Sequence, residues 1–286
     1  MPESSQFKDD LERLLLIDWE IETLHGGKIS LGFDWAHDIR TKIKKSKLVV
    51  ADVTDTSREV MFEIGFAGNK PALYVTARHA DRATLPPWLT IRQSAAYLDD
   101  GTDSISRTIG GFIRSKNLPV LHRRSVGPGS ATLLMREGHE WAVHTAQFLE
   151  ARLGEFGVAL KRVDPEEVSS GVALSQIASS QLIFACIDGS RSDYLAHFAL
   201  GAVAGRPSFK SFKSQSPGGS QQTLRRIGVV LSQTQDDFEA FAADALKRID
   251  KDVIFRSLEP SAIDARILPV LKKHRQWRAR GRGDLS

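Results

Sequence analysis

The stretch SKLVVADVTDTSREVMFEIGFAGNKPALYVT, residues 46–76, decides how the chain is read. The run KLVVADV carries apolar residues in near-continuous order, which predicts a strand buried on both faces. A turn of carboxylates and hydroxyls follows: Thr54, Asp55, Thr56 and Ser57. A helix is expected from Ser57 to Gly68, closed by Gly68 and Asn69 ahead of Pro71, and a second strand, ALYVT, comes next. Strand, turn, helix and strand at this spacing make a βαβ unit. One residue interrupts the apolar helix. Glu63 stands between Phe62 and Ile64, with Glu59 one turn earlier on the same face. Val60, Ile64 and Ala67 form the expected packed stripe, so Glu63 is either a solvated residue at its border or placed for chemistry.

The same plan extends in both directions. Before this unit, the sequence predicts a helix over Ser5 to Leu15, a strand at WEIETLH and a helix from Trp35 to Lys45. After it come a loop with Pro86 and Pro87, the strand SAAYLD and a helix from Asp103 to Lys116. LHRRSVGPGSA, residues 121–131, is basic and then rich in Gly, Pro and Ser, and reads as a linker. Beyond it lie the strand ATLLM, a helix from Glu137 to Leu153, the strand VALKRVD and a short helix ending at Ser179. The strand QLIFACIDGS, the helix DYLAHFALGAVAGRP, the strand RIGVVLS and a helix from Asp236 to Ile249 complete the segment, with FKSQSPGGSQQ (212–222) as a loop. The predicted class is α/β: two tandem flavodoxin-like domains, 1–120 and 132–255, with parallel sheets flanked by helices, then a basic tail over 256–286.

The two segments resemble each other. IKKSKLVVADVTDTS from Ile43 aligns with IASSQLIFACIDGSR from Ile177, and FEIGFAGNKP from Phe62 with FALGAVAGRP from Phe198. Self-similarity of this kind points to a duplicated βαβ domain. Asp52 becomes Cys186 and Glu63 becomes Ala199, so the first copy keeps polar groups that the second lacks.

Composition narrows the function classes. A chain of 286 residues suits one large or two ordinary domains, and its formal charge of +4 does not by itself argue for a nucleic-acid binder. The single cysteine excludes an internal disulfide framework and fits a reducing cytosol. No secretory leader and no apolar run near the ~20 residues of a membrane span is found, so a soluble, cytoplasmic protein without membrane contact is expected. A Gly-x-Gly-x-x-Gly turn and a phosphate loop ending in Gly-Lys-Ser/Thr are both missing, which argues against dehydrogenase and NTPase readings. His139 and His144 are five apart, about 140° around a helix, and do not make a metal pair. No metal or cofactor is expected. His197 reads as a structural histidine and Cys186 as an inert core residue. KKHRQWRARGRG (272–283) offers weak, nonspecific nucleic-acid contact or serves as a solubilising tail.

In parallel sheets ligands bind beyond the carboxyl ends of strands, where Asp52 and its turn fall. Within that turn Thr56 reads as an N-cap, with Glu59 three residues on completing a capping box, and Asp55 favours the helix dipole.

Residues 46–76, with LPPWLTIRQSAAYLDD (85–100) after them, resemble the central motif of the nucleoside 2-deoxyribosyltransferase-like proteins. The fold is also similar to that of TIR domains, whose enzymatic members cleave the glycosidic bond of NAD with a glutamate on the equivalent helix. The resemblance implies deoxyribosyltransferase-like domains that cleave or transfer at an N-glycosidic bond of a nucleoside, nucleotide or NAD. Glu63 would be the key carboxylate and Asp52 the second catalytic group, with Thr54, Asp55 and Ser57 contacting substrate. Such chemistry is coherent: positive charge develops at the anomeric carbon, and a carboxylate beneath the sugar stabilises or traps it. The first segment lacks the family's opening strand and turn, and the second lacks the glutamate. Either the halves complete one pocket as an intramolecular pseudo-dimer (or within a homo-oligomer), or catalysis has been lost and a nucleotide-binding sensor or interaction module remains.

Overall fold

The computed structural model describes residues 3–24, 35–53, 57–67, 70, 72–76, 94–96, 101–115, 130–168, 174, 176–177, 179–189, 193–205, 208–211, 222–234, 236–237, 254–257, 265, 267–269 and 271–272. They form two compact units. The first comprises Met1–Val60 and Asn69–Leu121, and the second Met61–Gly68 and His122–Ser286.

In the first unit, strands β1 (Val49–Asp52), β2 (Ala72–Thr76) and β3 (Ser94–Ala96) form a parallel sheet in that order. Helices α1 (Glu3–Trp19), α2 (Trp35–Lys45) and α4 (Gly101–Ser115) accompany it, and α3 (Arg58–Ala67) begins here. Leu11 and Leu15 make an i, i+4 stripe on α1 that packs on Ile105 and Ile109 of α4, with Trp19 extending the stripe. Gly110 makes room for that indole, because an added Cβ would lie 2.1 Å from the ring. The Arg114 guanidinium covers the ring at 4.2 Å.

Three expectations fail in this unit. WEIETLH alternates like a strand, yet Trp19 ends α1 and Glu20–Leu24 are not in a strand. Glu20 takes the left-handed conformation (φ 54°) and its N–H donates to Leu16 O at 3.2 Å, an αL helix stop; the apolar half of the alternation packs on α1 and α4. β1 is not buried on both faces either. Its exposure alternates, and Val50 is 38% exposed. Thr56, the expected cap, lies outside the described residues, and it is Ser57 that caps the helix, its Oγ accepting the Val60 N–H at 3.1 Å. That register makes Val60 rather than Glu59 the third residue of α3, so Glu59 does not complete the capping box.

The second unit is built on five parallel strands: β4 (Ser130–Leu134), β5 (Ala159–Val163), β6 (Leu182–Ile187), β9 (Ile227–Ser232) and β10 (Ile254–Ser257). Their order, β10-β9-β6-β4-β5, is the flavodoxin-like 2-1-3-4-5 when the strands are counted along the chain. β6 and β9 are the near-continuous apolar runs, and both are buried almost throughout. Helix α5 (Glu140–Gly154) buries Ala142, Ala146, Leu149 and Leu153 against this sheet. It ends in a Schellman turn: Gly157 at φ 67° lets Val158 N–H reach Leu153 O and Gly157 N–H reach Gly154 O. On the outside, Arg162 of β5 grips Glu150 of α5 with both prongs of its fork and holds that carboxyl below its ordinary range.

Helix α6 (Asp193–Gly205) is buried on nearly every side, as are residues 61–67 of α3 in the same unit. The two helices touch backbone to backbone through glycines. A Cβ on Gly65 would meet Phe198 O at 1.9 Å, one on Gly201 would meet Phe62 O at 2.1 Å, and one on Gly205 would meet Phe66 O at 2.2 Å. The first two contacts are reciprocal under the sequence repeat, which matches Phe62 with Phe198 and Gly65 with Gly201.

Separately from that sheet, β7 (Ser208–Ser211) and β8 (Gln222–Arg225) form an antiparallel pair at the two ends of the segment read as a loop. Folded structure also continues where a tail from residue 256 was expected. β10 pairs with β9 through Ser257, and Ile267 and Leu271 lie in the core of the unit. The expected linker is shortened, since β4 begins at Ser130; residues 116–129 and 273–286 lie outside the described residues.

Candidate functional site

The residues singled out from sequence fall in different places. Asp52 is exposed at the carboxyl end of β1 in the first unit. Ser57, also in the first unit, has its hydroxyl engaged as the α3 cap. Thr54 and Asp55 lie outside the described residues. Glu63 belongs to the second unit and is half-buried, while Met61, Phe62, Ile64, Gly65, Phe66 and Ala67 around it are buried. The packed surface of α3 is therefore far wider than one stripe, and Glu63 marks the narrow strip left open.

A second polar constellation lies at the carboxyl edge of the five-stranded sheet. The strand order reverses between β4 and β6, the first and third strands of the unit, which is the position where open parallel sheets of this kind take their ligands. Arg136 and His139 follow β4, and Asp188 follows β6. Arg136 Nη1 donates to Asp188 Oδ2 at 3.3 Å, and His139 Nε2 lies 3.1 Å from the same oxygen. Arg136 Nη2 reaches across β4 to Glu166 Oε1 at 3.0 Å, in the turn after β5. His139 occupies the N-cap position of α5 without capping it through its side chain, leaving its ring for Asp188.

The loops carrying these groups are fixed by buried polar contacts. The Asp193 carboxylate, buried at the start of α6, accepts the N–H of Gly189 at 3.0 Å and that of Asp188 at 3.4 Å. Gly189 supplies the left-handed turn (φ 77°) that this arrangement requires. Asp164 accepts Glu166 N–H at 2.8 Å and Glu137 N–H at 3.4 Å, tying the β4 and β5 turns together. After β9, Thr234 Oγ1 accepts Asp237 N–H at 3.0 Å, and Asp237 Oδ1 lies 3.6 Å from where a Cβ on Gly189 would be. His197 Nδ1–H donates to Asp193 O at 2.8 Å and the ring is buried, in keeping with a structural histidine.

Cys186 sits two residues before Asp188. Burial, and then the Asp188 charge, push its thiol up to about 12, so it has no nucleophilic character near neutral pH. Among the described residues no group of three or more His, Cys, Asp and Glu side chains is arranged to hold a metal, and no helix is long and apolar enough to cross a membrane.

Arg136, Glu166 and Asp188 belong to no motif in the sequence, and His139 stands out only as half of a candidate metal pair with His144. One signal points to Asp188. The self-similarity that aligns Asp52 with Cys186 also aligns Thr54 with Asp188, so the second segment has a carboxylate where the first has a hydroxyl. It lacks the Asp52 and Glu63 groups but carries polar groups of its own. Protein-family models and curated protein sequences give no match to the chain.

Proposed function

We propose that the protein is a nucleotide-binding module whose ligand lies in the crevice between β4 and β6 of the second unit. The observation that carries this is the convergence of Arg136 and His139 on Asp188 at the point where the strand order reverses. Each part has a role that nucleotide chemistry asks for. A guanidinium fork matches phosphate oxygens, and the amides of the first turn of α5 favour an anion. A carboxylate at this edge accepts ribose hydroxyls. The tandem-duplication proposal belongs with this reading. The order β1-β2-β3 in the first unit parallels β6-β9-β10 in the second, and the Gly65–Phe198 and Gly201–Phe62 contacts are reciprocal.

Calorimetric titration with a panel of nucleosides, mononucleotides, deoxynucleotides and NAD tests the site. At least one phosphorylated member binds the wild type, Arg136→Gln weakens it at least about tenfold, and Glu63→Gln leaves it unchanged. Binding that ignores Arg136 would sink the assignment.

A second reading is supported by Glu63, the half-buried carboxylate on an otherwise buried stretch of helix. It makes the protein an N-glycosidic-bond hydrolase or transferase, with Glu63 stabilising the oxocarbenium ion. Chromatographic detection of free base separates the readings: release by wild type and not by Glu63→Gln establishes the enzyme.

A further inference from the structure

We propose that Arg136 is a phosphate clamp held occupied by Glu166, so that the crevice selects ligands carrying a phosphate by exchanging one anion for another. The inference rests on the nucleotide reading and names the part of the ligand that the site requires.

β4 lies between β6 and β5 in the sheet, and Arg136, just beyond its end, reaches to both sides. Its two carboxylate partners are unequal. Asp188, on the β6 side, is 15% exposed and is also contacted by His139, whereas Glu166, in the turn after β5 on the other side of β4, is 63% exposed. Exposed ion pairs are weak because water competes for both charges. The Glu166 side chain can also leave without moving its turn, since Asp164 holds the backbone N–H of Glu166 and of Glu137. A guanidinium donates to carboxylate and phosphate oxygens alike. A phosphate monoester near neutral pH carries more charge and a third oxygen, and therefore displaces the glutamate. Asp188 stays with Arg136 and His139 and holds the guanidinium at the end of β4, so the phosphate takes the place of Glu166 while the rest of the nucleotide extends toward β6. No covalent bond changes. A neutral nucleoside has nothing to offer Arg136 in exchange for Glu166, so it binds less well.

Calorimetry on the full chain with AMP and adenosine as probes tests the clamp. AMP binds more tightly than adenosine to the wild type. Glu166→Gln removes the internal competitor and tightens AMP roughly twofold to fivefold, without changing adenosine. Arg136→Gln weakens AMP at least about tenfold, and in that background Glu166→Gln has no further effect. Equal affinity for AMP and adenosine, or an unchanged or weaker AMP affinity in Glu166→Gln, overturns the clamp while leaving the nucleotide reading standing. Silence of the wild type toward both probes and toward the whole nucleotide panel overturns both.

Discussion

Gly201→Leu is expected to lower stability by at least about 3 kcal/mol, and the melting temperature by roughly 10 °C. The Cβ alone would stand 2.1 Å from Phe62 O and 2.9 Å from Phe66 N, and both are backbone atoms on a buried helix. No rotamer relieves such a contact; the helices must move apart. That separation would open the packing of Phe62, Phe66 and Phe198, all buried, and would lose the close Cα–H to carbonyl approach that glycine permits. Gly65→Leu should do the same through Phe198 O, at 1.9 Å. Gly111 on α4 is the control. Nothing lies within 4 Å of its added Cβ, so Gly111→Ala should be neutral or stabilising by up to about 1 kcal/mol from helix propensity. Thermal unfolding of the three variants checks this. Gly201→Leu and Gly111→Ala melting alike would mean that the helices do not approach as described.

The second large effect concerns Arg226, which is 1% exposed yet carries a full charge. Its Nε donates to Ser180 O at 2.9 Å, and its Nη1 to Ala202 O at 2.7 Å. Ala202 is in the last turn of α6, where carbonyls lack helical partners and the helix dipole favours a cation. Arg226 thus ties the start of β9 to the approach to β6 and to the end of α6. Arg226→Met removes the buried charge but leaves these carbonyls unpaired in the core. The loss of charge-assisted bonds exceeds the relief of desolvation, for a net cost of about 3 kcal/mol. Arg226→Lys keeps the charge, yet a single ammonium cannot reproduce the fork, so an intermediate loss is expected. Urea titrations followed by tryptophan fluorescence report the order wild type, Lys, Met. A methionine variant within about 0.5 kcal/mol of wild type would remove Arg226 from this role.

The parallel α/β class was legible because strand and helix periods alternate, and because β6 and β9 are apolar without interruption. Where the signal was mixed, the sequence misled. WEIETLH has the period of a strand, but Trp19 and Ile21 pack on the α1–α4 cluster on either side of a helix stop. β10 is only four residues, and Ile267 and Leu271 lie close to a run dominated by Lys and Arg, so composition hid a core-forming segment. The short strands SFKS and QTLR pair only with each other and carry one apolar residue each, too little for an apolar alternation in sequence. The site was harder to see than the fold. Arg136 and Asp188 are 52 residues apart, and only the sheet order brings them together. Glu63 drew notice because it is polar within an apolar helix, a local contrast; Asp188 sits among ordinary loop residues and gains meaning from what faces it.

Hydrogen exchange with and without a bound nucleotide from the panel tests the placement of the ligand most directly. The account predicts slower amide exchange at 135–143 and 187–189, on the two sides of the β4–β6 crevice, with residues 57–63 unchanged. Protection confined to 57–63, with none at the crevice, would contradict it and return the site to Glu63.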